Sequence, residues 1–432
     1  MSSPTLSTRF QRIAEQASDK ARVFTTLAHL IDVELLREAF GQLRREAAPG
    51  VDGQTAAEYG TDLEAHLGDL HERLRRQQYR ATPGRRVWIE KEDGSQRPLT
   101  IPILEDKIVQ RAVVLLLTPI YEQDFYEFSY GFRPGKGAHE ALHALRERSM
   151  ELGGVWLVDA DIRGFFDSVN HGLLQQILRQ RVNDGGIVRL VGKWLNAGIQ
   201  EGGSLSHPET GTPQGGVISP LLSNIFLHTA LDEWFVEQVQ PRLRGRSFLI
   251  RYADDFVIGC EFEDDARRVL GVLAKRLAKY GLSLHPDKTR LVQFRRPLRG
   301  NTPTEGNGTF EFLGFTHYWT RSRRGFWVIK RRTARKKLRR SMLAISQWCR
   351  RNRHEPMAEQ CKKLGQKLRG HYGYYGIVGN YPALRAVYQH TRQVWRKWLS
   401  RRSWRSYVTW ERFLELEKIF VLPAPRIVHA NV

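Results

Sequence analysis

Two adjacent carboxylates, Asp254 and Asp255, interrupt two apolar runs, Phe248 to Tyr252 and Phe256 to Ile258. The pattern predicts a β-hairpin whose turn holds both acids out to solvent. Such a pair is in itself an ordinary turn signal, because Asp bonds its own backbone there. A second segment gives it weight. Val155 to Val158 reads as a buried strand that runs into Asp159 and Asp161, with Phe165, Phe166 and Asp167 close behind. Acids that end an apolar strand are costly unless paired or bound to metal. If the two strands are neighbours, Asp161, Asp254 and Asp255 converge on a pair of Mg²⁺ ions about 4 Å apart, which stabilises the attacking and leaving oxygens of a phosphoryl transfer. Asp159 falls on the same strand face as Asp161 and is a rival ligand.

The elements around these acids read as α+β. Helical spacing of Leu and Ile is expected over 21–46 and 56–78, separated by the turn Pro49-Gly50-Val51-Asp52-Gly53. A hairpin is expected from Arg86 to Ile89 and Arg97 to Ile101, followed by a buried helix from Glu105 to Leu117. Leu291 to Phe294 is a further strand candidate, and 264–280 a further helix. After Lys330 helix dominates. Leu338, Met342, Ile345 and Cys349 make one apolar stripe, while Arg332, Lys336 and Arg340 recur at four-residue steps as a basic ridge.

Charge points to a polyanionic partner. The 432 residues carry a formal net charge of +22 and a pI near 10.1. The excess is concentrated: 321–432 holds 28 Lys and Arg against 5 Asp and Glu, a net +23, and the rest of the chain sums to −1. Trp327, Trp348, Tyr372, Tyr374, Tyr375, Trp395, Trp398, Trp404 and Trp410 are interleaved with that charge. A disordered basic tail would lack them, whereas a folded nucleic-acid-binding surface uses both cations and rings. No run of about 20 apolar residues is present to cross a membrane, and no apolar signal core precedes Arg12, so a cytoplasmic protein is expected. The cysteines, Cys260, Cys349 and Cys361, are too scattered for a disulfide framework or a paired-cysteine zinc module.

Eight segments occurring in order resemble the reverse transcriptases of bacterial group II introns. They are Pro49-Gly50-Val51-Asp52-Gly53-Gln54-Thr55, Arg97-Pro98-Leu99 with Ile101-Pro102, Ser129-Tyr130-Gly131-Phe132-Arg133-Pro134-Gly135, Asp161 to Asp167, Gly211-Thr212-Pro213-Gln214-Gly215-Gly216, Tyr252-Ala253-Asp254-Asp255, Leu284-His285-Pro286-Asp287-Lys288-Thr289 and Phe312-Leu313-Gly314-Phe315. The resemblance covers nearly the whole chain. It implies a right-hand polymerase: an N-terminal extension and the start of the fingers over 1–80, fingers and palm over 81–318, a helical thumb or maturase region over 319–400, and a small DNA-binding segment over 401–432.

It also implies roles. Asp161, Asp254 and Asp255, with the backbone carbonyl of Ile162, hold two Mg²⁺ ions. Lys91 and Arg97 bind the incoming triphosphate, and Gln214 braces the nucleotide beside Gly215 and Gly216. Phe166 is the gate against a ribose 2′-OH, with Phe165 its rival, and Lys288 is a candidate general acid for the pyrophosphate leaving group. The expected activity is RNA-directed DNA synthesis, joined to intron splicing and retrohoming, with intron RNA, a primed RNA template, target DNA and dNTPs as partners. A domesticated relative serving defence or repair is the alternative; a splicing cofactor with a dead polymerase would not need the three acids. Without paired cysteines, the chain resembles the type that lacks a zinc-containing endonuclease module.

Overall fold

A computed structural model of the chain describes residues 5–90, 96–201, 204–206, 210–211, 215–297, 308–403 and 406–430. Two compact units are present, one made of 1–137 and 158–291, the other of 138–157 and 292–432.

In the first unit, the strands Gly84–Glu90 and Gln96–Ile101 pair antiparallel from Arg85↔Ile101 to Glu90↔Gln96. This is the expected hairpin, and its turn lies outside the described residues. Ile199–Glu201 and Ser204–Ser206 extend the sheet on the other side of Gly84–Glu90. The helix Leu104–Asp124 follows and runs past the expected end at Leu117, carrying Pro119 within it. It is the spine of the core: Ile108, Val109, Ala112, Val113, Leu117 and Ile120 have no exposed surface. The N-terminal region departs from its reading. A helix spans Leu6–Ala17 and another Val33–Gly41, and most of the interval between them is not helical. Tertiary contacts take the backbone there: Phe24 bridges Val182, and the Asp184 carboxylate accepts the amides of Leu27 and Ala28.

A second sheet has the order Ser247–Tyr252, Asp255–Cys260, Gly154–Asp161, Arg290–Arg295. The ends of its last two strands that bear on the acids, from Val158 and up to Leu291, belong to the first unit. The strands Phe310–Phe312, Phe315–Arg321 and Trp327–Thr333 form a three-stranded sheet in the second unit. Helices Ala138–Glu151, Arg335–Arg351, Met357–Tyr375, Tyr381–Leu399 and Trp410–Ile419 also belong to that unit. Ile345, Cys349, Leu364, Leu368, Leu384, Val387, Trp395 and Phe413 form its core, with Leu338 and Met342 packed against it, so the expected apolar stripe is present.

The basic ridge needs correction. The helix that carries the stripe starts at Arg335 after the cap residue Ala334, whereas Arg332 lies in the strand Trp327–Thr333 opposite Thr316, its guanidinium over the Tyr318 ring. Lys336 and Arg340 are exposed on the helix and Arg332 is not on it. Several rings interleaved with the charge are already engaged. Trp395 and Tyr372 are core residues, Tyr374 donates to the Leu313 carbonyl at 2.8 Å, and Arg396 lies over Trp410 at 4.4 Å. Trp404 lies outside the described residues.

Candidate active site

The Arg251 to Ile258 segment forms the expected hairpin, Ser247–Tyr252 pairing antiparallel with Asp255–Cys260, but Tyr252 stands opposite Asp255, so only Ala253 and Asp254 turn the chain, and both acids are partly buried rather than held out to solvent. Ala253 closes the turn with φ at +56°, a left-handed conformation that few residues other than glycine adopt. Asp254 sits partly buried in the turn. Burial pushes its carboxyl above its ordinary value and the negative charge of Asp161 adds to this, while a backbone hydrogen bond and the charges of Arg97 and Arg251 oppose it. Asp161 ends the strand that neighbours the one begun by Asp255, and Arg97 lies on the hairpin of 84–101.

Asp161 is held by the segment that follows the helix Glu263–Ala278. Ile162 bridges Leu284, Arg163 donates its amide to Ser283, and His285 donates its amide to the Asp161 carbonyl at 2.7 Å. The same segment delivers Lys288, whose ammonium donates to the Asp161 carboxylate at 2.7 Å. Arg290 takes the rival acid, Asp159, at 3.0 Å. The two strand acids therefore have separate cationic partners.

Phe165 and Phe166 separate clearly. Phe165 is 2% exposed and packs on Phe226, while Phe166 is half-buried and meets Phe165 edge-on. Gly211 passes so close to the backbone at 166–167 that a Cβ there would stand 3.0 Å from the Phe166 carbonyl. Gly215, with φ at +112°, lies against the Thr100 carbonyl, where a Cβ would approach to 2.6 Å. The Gln110 side chain accepts the Val217 amide at 2.8 Å, tying the glycine-rich segment to the core helix. Lys91 and Gln214 lie outside the described residues.

Sequence reasoning missed what holds the turn from beneath. Arg251 has a fully buried side chain. It pairs with Asp232, donates to Asn224 Oδ1 at 2.8 Å and to the Ala253 carbonyl at 3.1 Å. Asn224 in turn donates to the Gly131 carbonyl at 2.7 Å. Asp232 lies in a π-helical stretch, His228–Glu233, a widened turn often found at functional sites. Arg251 stands next to the tyrosine of the hairpin motif, and only its apolar neighbours Ile250 and Phe256 hinted at its burial.

The donor set fits a hard divalent cation: carboxylates and backbone oxygen, with negative charge accumulated at a partly desolvated acid. Among the described residues no three His, Cys, Asp or Glu side chains close into a ready-made metal cage. Lys288 bonds Asp161, so its ammonium offsets the charge there that a cation would offset.

The sequence profile of the reverse transcriptase (RNA-dependent DNA polymerase) family matches residues 89–317. The chain is 35% identical to Protein YkfC of Escherichia coli (strain K12) over 64% of this chain and 77% of that protein. It is 34% identical to the group II intron-encoded protein LtrA of Lactococcus lactis subsp. cremoris over 55% of this chain and 39% of that protein. It is 40% identical to an uncharacterized 91 kDa protein in the cob intron of Schizosaccharomyces pombe over 39% of this chain and 20% of that protein. It thus spans well under half of the two intron-related proteins. No helix among the described residues is long and apolar enough to cross a membrane. A polymerase fold of palm and fingers accounts for the mixed sheets and helices around Asp161, Asp254 and Arg97, and the chain belongs to the reverse transcriptase (RNA-dependent DNA polymerase) family.

Proposed function

We propose that the chain is an RNA-directed DNA polymerase of the group II intron-encoded kind, which binds intron RNA, assists its splicing and copies it into DNA at a target site. The observation that supports the catalytic part is the sheet order, which sets the strand ending at Asp161 beside the strand that begins at Asp255, with Asp254 in the turn just before it. Asp161, Asp254 and Asp255, with the Ile162 carbonyl, would hold two Mg²⁺ ions. When bound, these ions supply charge stabilisation for the attacking and leaving oxygens.

The chain's own residues do the rest. Arg97, with Lys91, neutralises the triphosphate of the incoming dNTP, and Gln214 braces that nucleotide. The half-buried Phe166 ring closes the space a 2′-OH would need, while Phe165 belongs to the core. Lys288, 2.7 Å from Asp161, is positioned to give a proton to the departing pyrophosphate. Residues 1–80 would extend the fingers, 81–318 form fingers and palm, 319–400 the thumb or maturase region, and 401–432 a DNA-binding segment. The net +23 of 321–432 supports the RNA-binding role of the C-terminal part.

Primer extension on a DNA-primed RNA template tests the catalytic assignment. Asp254→Asn and Asp161→Asn should each lower synthesis by orders of magnitude while primer–template affinity stays near wild type. Synthesis retained in both would mean that the catalytic carboxylates are elsewhere.

A further inference from the structure

Phe132 is an aromatic side chain held in solvent by a strained backbone. It is 58% exposed, and its φ is +58°. A bulky residue is rarely found in that region, and strain of this kind persists only where the surroundings over-determine it.

Here they do, from both sides. Upstream, Ser129 bridges Arg251 and Tyr130 donates its amide to the Arg251 carbonyl at 2.8 Å. Gly131 lies so close to the catalytic turn that a Cβ on it would stand 2.3 Å from the Ala253 amide nitrogen, and Asn224 clamps its carbonyl. Downstream, the Arg133 guanidinium is buried and bonded to the Glu122 carboxylate at 2.9 Å and to the carbonyls of Tyr126 and Ser129. With Gly131 and Arg133 both fixed inward, the residue between them is forced outward.

The ring is displayed beside the catalytic hairpin. Its centroid is 6.3 Å from that of Tyr252. Tyr252 stands opposite Asp255 in the hairpin register, so the two project from one face. A single exposed phenylalanine on a relaxed loop would need no explanation. One that is kept in a strained conformation, next to the carboxylates, is built to meet a flat apolar partner.

We propose that Phe132, leaning on Tyr252, is a stacking platform for the base of the primer's 3′-terminal nucleotide. This rests on Asp254 and Asp255 being the carboxylates at which the primer's 3′ oxygen reacts. The triphosphate falls to Arg97 on the other sheet, and the primer end is the remaining partner that must reach the Tyr252 side of the turn. Stacking on a protein ring tolerates any base, as a primer terminus requires, and its loss weakens binding by about 5- to 150-fold.

The experiment is an anisotropy titration of the full chain with a DNA primer on an RNA template, without dNTPs, with the terminal primer nucleotide either intact or abasic. Phe132→Gly should weaken binding of the intact primer within the range above, and Phe132→Tyr should restore it. The abasic terminus should cost wild type a similar factor and Phe132→Gly little more. Glycine takes a φ of +58° without strain, so the melting temperature of Phe132→Gly should equal or exceed that of wild type. Wild-type affinity in Phe132→Gly, or an undiminished abasic penalty, would overturn the proposal, as would a lowered melting temperature accompanying the lost affinity. Retained synthesis in both Asp254→Asn and Asp161→Asn would instead defeat the carboxylate assignment, and it is read in a separate assay.

Discussion

Arg251 and Asp232 form a 2.5 Å ion pair in which neither side chain has any exposed surface. The pair lies directly under the turn that carries Asp254, and the same guanidinium bonds the Ala253 carbonyl. Removing one partner of such a pair strands a buried charge, which costs about 3–5 kcal/mol, whereas replacing both with apolar residues is often near neutral. Asp232→Ala should therefore unfold at much lower denaturant. Arg251→Met combined with Asp232→Leu should recover most of that stability yet stay poor in primer extension, because the Ala253 carbonyl has lost its donor. A double variant with wild-type synthesis would reduce the pair to a stability element.

Phe165 and Phe166 are adjacent, but their surroundings predict different failures. If Phe166 is the proposed sugar gate, Phe166→Ala should raise the ratio of kcat/KM for ribonucleotides over deoxyribonucleotides, with a small effect on melting temperature. Phe165→Ala empties a core position against Phe226 and should cost about 3–5 kcal/mol of stability without that change in sugar selection. Paired kinetic and denaturation measurements decide; a ratio that rises in Phe165→Ala alone would move the gate by one residue.

That Asp161 ends one strand and Asp254 sits in the turn of a hairpin was legible in the sequence, because each acid ends or interrupts an apolar run, a local pattern with a steep desolvation cost. The hairpin of 84–101 was legible for the same kind of reason, from strand residues flanking a polar turn. Arg251 was not, since its burial depends on Asp232 and Asn224, which stand 19 and 27 residues away. Arg332 was misread because basic residues crowd both sides of the strand–helix boundary. The period changes at Thr333 and Ala334, and four-residue steps carried across that boundary have no meaning. Phe132 was visible only as one letter of a motif. Its outward ring follows from clamps on Gly131 and Arg133 that distant elements supply.

His317 gives the second unit a stability that depends on pH. Its imidazole is fully buried and stacked on Phe310, with ring centroids 4.7 Å apart. Burial first, and then the Arg331 cation, push it down to about 3. An unfolded histidine titrates near 6.5, so between about pH 6.5 and 3 the unfolded chain binds a proton that the fold refuses. The stability is complete above that window and is lost as pH falls through it. His317→Phe keeps the stacking and removes the group, so its melting temperature should fall less than that of wild type between pH 7.5 and pH 5. The remaining slope includes His371, which burial holds down to about 4. Equal losses in wild type and variant would show that His317 does not govern the acid limb.

Lys336 and Arg340 are exposed one helical turn apart on Arg335–Arg351, on a face other than the one that Ile345 and Cys349 bury. Arg332 belongs to the preceding strand, where its guanidinium covers Tyr318 at 5.3 Å. The basic surface is therefore two sites rather than one ridge. Folded RNA is a dense polyanion, and each phosphate contact that a cation makes adds to the salt dependence of binding. Lys336→Gln with Arg340→Gln retains helix propensity and removes two charges. It should weaken RNA binding and make the slope of log affinity against log salt shallower by about 2. Arg332→Gln removes a cation already engaged with a ring and should change that slope by about 1 or less. Single-nucleotide addition on a short primed template at saturating concentration should survive in both variants, because every proposed metal and nucleotide ligand lies before residue 289. Filter binding at several salt concentrations, run beside primer extension, reads all of these. An unchanged slope in the double variant would make Lys336 and Arg340 an ordinary solvated face, and an equal collapse of nucleotide addition would end the separation of RNA gripping from synthesis.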